Sequence, residues 1–86
     1  MNIETIKSET ESYFKSEGKE KFFKEKVQNT KSDILSDFKK WNQKNPDKKF
    51  TDFKAESIEE IKAGMQFLSE ILYVGIFLTA LDEVVV

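Results

Sequence analysis

Residues 65–81, "MQFLSEILYVGIFLTAL", are strongly apolar in a chain of 86 residues of which 35% are charged. How this stretch is covered decides the fold. It reads as a membrane span, as a buried core element, or as a surface that a partner covers. Length argues against the first. Between Glu70 and Asp82 lie 11 uncharged residues, about 16 Å of helix, whereas a hydrocarbon core needs about 20 residues and 30 Å. Extending the span upstream buries Glu70, at up to ~3 kcal/mol. The flanks oppose insertion too: Glu59, Glu60, Glu70, Asp82 and Glu83 surround the stretch, and Lys62 is the one base beside it.

Placed on a helical wheel, Ile58, Ile61, Met65, Leu68, Leu72 and Ile76 form one stripe, with Glu59, Lys62, Gln66 and Glu70 opposite. After Glu70 the polar face disappears, because Tyr73, Phe77 and Ala80 take its sector. A helix that is apolar all round is buried all round. Two shorter helices cover two sides of it, so the remaining side is expected to bind a second copy through Tyr73, Val74, Phe77, Ala80 and Leu81, giving a dimer or small ring. The alternative is a buried strand over residues 71–78, with residues 84–86 pairing elsewhere, in an α+β fold.

Working upstream, Ser57-Ile-Glu-Glu60 has the spacing of a capping box and predicts the start of this long third helix, which runs to about Asp82. Residues 47–56, "DKKFTDFKAE", read as a Lys-rich loop. Pro46 in "NQKNPD" ends the helix before it. That helix carries the stripe Phe23, Val27, Thr30, Ile34, Phe38 and Trp41, and an earlier one carries Ile3, Ile6, Thr10, Tyr13 and Phe14. The two stripes point about 110° apart on a continuous helix, which predicts a break at Gly18. Gly64 and Gly75 stand alone and read as sites of close helix approach. The expected fold class is therefore all-α: one small three-helix domain over residues 1–86 with a long apolar C-terminal helix, oligomeric in solution.

Composition narrows the chemistry. There is no Cys and no His, so disulfides, thiol nucleophiles and the usual zinc ligands are missing, as is the side chain that titrates near neutral pH. The paired acids Glu59-Glu60 and Asp82-Glu83 are adjacent in sequence and point about 100° apart on a helix, unlike an acid/base pair. The isolated glycines form no phosphate loop. No catalytic residue, cofactor or metal is expected. "MNIETIKSETES" lacks a basic segment followed by an apolar one, so no secretory signal is expected, and the expected location is cytoplasmic. Abundant Lys, Asn, Phe and Ile fit an A/T-rich genome, such as that of a low-GC bacterium or its phage.

Charge is uneven. Residues 1–38 carry −1, residues 39–54 carry +4 and residues 55–86 carry −5. The middle segment interleaves Trp41, Phe50 and Phe53 with Lys39, Lys40, Lys44, Lys48, Lys49 and Lys54, which suits phosphates and stacked bases. All 14 basic residues are Lys, and without the bidentate fork of Arg base-specific reading is disfavoured. The expected function is a small non-enzymatic protein-binding module that associates with itself and with another protein, as regulators, immunity proteins and phage-encoded inhibitors do. The alternatives are a cationic binder of nucleic acid or a phosphorylated small ligand, and a membrane-associated protein using the C-terminal helix.

Overall fold

Asn2 opens the first helix, α1 (Ile3–Ser16), its side-chain oxygen accepting from the amides of Glu4 at 2.8 Å and Thr5 at 3.4 Å. The computed structural model describes residues 2–64 and 71–85. The helix closes at Gly18, whose φ of 70° lies in the left-handed region. There the Gly18 amide donates to Lys15 O at 3.1 Å and the Lys19 amide to Phe14 O at 2.8 Å, the two bonds of a Schellman motif. The break expected at Gly18 thus separates the two stripes. The next helix, α2 (Glu20–Lys44), is 25 residues long, about 37 Å. It runs through most of the molecule's 43 Å long dimension.

Asn45 ends α2 ahead of Pro46, its amide donating back to Trp41 O at 3.0 Å and Asn42 O at 3.2 Å. The Lys48 amide reaches Asn45 O at 3.1 Å, closing a four-residue turn with Pro46 at its second position. The Asn42 side chain staples this turn by donating to Asn45 O and Lys48 O. The chain then re-enters helix much earlier than expected, as α3 (Phe50–Gly64). Asp52 makes this happen: its carboxylate accepts from the Lys49 amide at 2.9 Å, the returning half of a capping box. Residues 47–56 are therefore a short turn followed by helix, and Ser57 lies inside α3 rather than capping it.

The last helix is α4 (Ile71–Glu83). The expected single helix from Ser57 to Asp82 is corrected by geometry. Lys54 in α3 pairs with Asp82 near the end of α4 at 2.8 Å, whereas in one straight helix those residues would stand about 42 Å apart. The described residues thus hold four helices rather than three, with residues 65–70 of the expected helix outside them. Residues 71–78 are helical, which removes the strand alternative, and no strand occurs among the described residues. The fold is all-α.

The apolar helix is covered from within its own chain. One cluster joins Phe14 of α1, Phe23, Val27 and Ile34 of α2, and Ile76, Ala80 and Leu81 of α4 with Val84 just beyond it. A second joins Ile6 to Val74 and Leu78, with Ile58 and Ile61 of α3 packed on it. The third covering element is α3, much of which the sequence reads as loop. Close approach of α1 to α4 depends on Gly75: a Cβ there would lie 1.8 Å from Thr10 Oγ1 and 2.5 Å from Thr10 Cβ. The buried Thr10 hydroxyl donates to Ile6 O at 2.7 Å and is satisfied. Gly64, also expected at a close approach, has no described neighbour within 4 Å of an added Cβ.

At the end of α4, Asp82 is held by Lys7 of α1 and Lys54 of α3. Burial alone would push its carboxyl up, but hydrogen bonds from Lys54 and Lys7 outweigh burial and hold it below the usual 3.8. On Lys7, the hydrogen bond to Asp82 is the largest influence and raises the ammonium above 10.5.

Candidate functional site

The two surfaces expected from sequence are only partly assembled. Of the five residues assigned to self-association, Val74, Ala80 and Leu81 are 6%, 0% and 1% exposed, inside the core of a single chain. Such groups are unavailable to a second copy, because three helices already cover them. Phe77 is half-buried and packs on the larger cluster. Tyr73, at 66% exposure, is the one that stands free at the surface, beside the partly exposed Leu72.

The Lys-rich segment is likewise divided. Lys39, Lys40 and Lys44 lie on the last turns of α2, and Lys48 and Lys49 lie in the turn. All five are exposed and form no ion pair among the described residues. Lys54 is withdrawn from this group by Asp82. The interleaved rings are occupied with one another. Trp41 meets Phe53 edge-on at 5.4 Å, and Phe38 meets Phe50 at 5.2 Å and Phe53 at 5.5 Å. They hold α2 to α3 as a small aromatic core and do not form a free stacking platform.

A different site emerges where α2, α3 and α4 meet. Three open depressions of ≈ 220, ≈ 400 and ≈ 440 Å³ adjoin one another, and Asp37 lines all three. Together they form a groove. Its floor is apolar where Trp41 of α2, Phe53 and Ile61 of α3, and Phe77 of α4 line it, and turns polar toward Tyr73, where Thr30 and Ser36 join the lining. Its walls carry Asp33 and Asp37 from α2 and Glu56 and Glu60 from α3, against the single base Lys40. None of these four carboxylates pairs with a cation among the described residues.

The helical period explains the placement. Asp33 and Asp37 are four residues apart, as are Glu56 and Glu60, so each pair lies along one side of its helix. That spacing is visible in the sequence, where each pair resembles an ordinary solvated face. Only the packing of α2 on α3 brings the pairs to opposite walls. The acids do not converge: no group of three or more that could hold a metal ion occurs among the described residues. No buried side-chain nitrogen or oxygen among them lacks a hydrogen-bond partner. What the groove offers is an apolar middle, a polar end at Tyr73 and a negative border. A separate depression of ≈ 310 Å³ between α1, α2 and α4 contains both Glu20 and Lys24, which lie 3.8 Å apart and offset each other.

No helix among the described residues is long and apolar enough to cross a membrane. Compared with family models, with curated proteins and with solved structures, the chain matches none.

Proposed function

We propose that this protein is a non-enzymatic protein-binding module whose contact surface is the groove between α2, α3 and α4. The observation that carries the reading is the exposed Tyr73 ring at one end of a groove whose middle, at Phe53, Ile61 and Phe77, is apolar. An exposed aromatic next to a concave apolar surface is the usual anchor of a protein contact, since such a ring buries much area at little conformational cost. Small regulators and inhibitors work through surfaces of this kind. Self-association is a second reading, supported by the exposure of both Leu72 and Tyr73 at the start of α4.

A photo-crosslinking amino acid at position 73, with the protein expressed in its source cell, tests both readings. We expect one or a few discrete adducts that are absent when the crosslinker stands at position 25, an exposed site on α2 outside the groove. Adduct mass separates a second copy from another protein. Equal, diffuse labelling from both positions would reject protein binding through this face.

A further inference from the structure

We infer that the groove selects a cationic amphipathic helix of another protein. This rests on the protein-binding reading and adds the partner's chemistry. The floor calls for apolar side chains, and a helix supplies them at i, i+3 and i+4. The α3 wall from Phe53 to Gly64 is 12 residues long, about 16 Å from first to last, which matches three turns of a docked helix. The carboxylates of Asp33, Asp37, Glu56 and Glu60 line both walls without cations of their own, so Lys or Arg flanking the apolar stripe would meet complementary charge along its length.

The same features exclude other occupants. Nucleic acid and phosphorylated ligands carry the wrong sign for these walls. A small polar ligand would find no unpartnered buried polar side chain, among the described residues, directed at it. A second copy offers exposed rings beside lysines at Tyr13 and Phe22, but these lie on separate helices on either side of Gly18 and make no continuous helical stripe for insertion.

The probes are two fluorescent helical peptides of about 14 residues with the same Leu pattern, one filled with Lys and one with Glu. Anisotropy titrations at about 150 mM salt should show saturable binding of the Lys peptide and at least roughly tenfold weaker binding of the Glu peptide. Asp37→Lys with Glu60→Lys should weaken the Lys peptide roughly tenfold, whereas Glu9→Lys with Glu25→Lys, the same charge change on other faces, should alter it less than about twofold. If the first double variant does not fold, Asp37→Asn with Glu60→Gln should still weaken binding about threefold. Equal affinity for the two peptides, or equal weakening by both pairs of lysine substitutions, would overturn the proposal. Adducts from position 73 that persist unchanged with Asp37 and Glu60 reversed would overturn the cationic selection alone and leave protein binding standing.

Discussion

At Gly75 the absence of one carbon atom sets the distance between two helices. Thr10 lies against the Gly75 backbone so closely that any Cβ would overlap its side chain, at 1.8 Å from Oγ1 and 2.8 Å from Cγ2. Thr10 has little freedom to yield, because it is 1% exposed and its hydroxyl bonds Ile6 O. Gly75→Ala should therefore destabilise the protein by about 1–3 kcal/mol through overpacking, despite the better helix propensity of Ala. Urea unfolding measures this. An unchanged midpoint would mean that α1 does not seat on α4 at Thr10. The glycine was legible as a site of close approach, since an isolated glycine inside an apolar helix weakens it without such a reason. Which residue it approaches was not, because 65 positions separate Thr10 from Gly75 and only the fold joins them.

The helices differ in how openly the sequence declares them. The stripe from Phe23 to Trp41, the stop at Pro46 and the break at Gly18 all follow from local rules, and the structure places each there. The start of α3 eluded those rules because Lys49 is a poor cap by composition. Its amide is satisfied instead by Asp52, reaching back from three residues ahead. Ser57 and Glu60 have the spacing of a capping box, but the helix is already under way when the chain reaches them. The two assignments predict opposite mutational outcomes. Asp52→Ala should cost about 0.5–2 kcal/mol and speed amide exchange in the first turn of α3. Ser57→Ala should change stability by less than about 0.5 kcal/mol. A larger loss at Ser57 than at Asp52 would restore the later start. The acidic walls of the candidate site were illegible for a related reason. Asp33 and Asp37, or Glu56 and Glu60, look like solvent-facing charge until α2 and α3 are set side by side.

Across the whole molecule, Asp82 joins α1, α3 and α4, so its titration reports on the assembled bundle. Its folded carboxyl lies below 3.8, and the stability this supplies is present above 3.8 and lost as pH falls through the folded value. Lys7 has the opposite sign: raised in the fold, it contributes fully below 10.5 and loses its contribution as pH rises through the folded value. Asp82→Asn should accordingly melt below wild type at pH 7, with the two curves converging in acid. Parallel curves down to strongly acidic pH would show that the Lys7 and Lys54 contacts do not contribute to stability.

The same whole-molecule view changes what the apolar helix implies for association. A helix that is apolar all round must be covered, but periodicity does not say whether its own chain or another supplies the cover. Here α1, α2 and α3 supply most of it, leaving, among the described apolar side chains of α4, Leu72, Tyr73 and one side of Phe77 as what a partner could reach. Charge introduced at two neighbouring positions should then have different consequences. Tyr73→Glu should leave helicity and melting nearly unchanged, since the ring is mostly in solvent, while reducing any self-association seen by sedimentation equilibrium at tens of micromolar. Phe77→Glu should lower stability by several kcal/mol, because it drives a carboxylate against the cluster containing Ile76, Ala80 and Leu81. A Phe77→Glu protein that stays folded while its mass falls to that of a monomer would place Phe77 at an interface between copies and reverse this assignment. A wild type that sediments as a monomer would reject self-association through Tyr73.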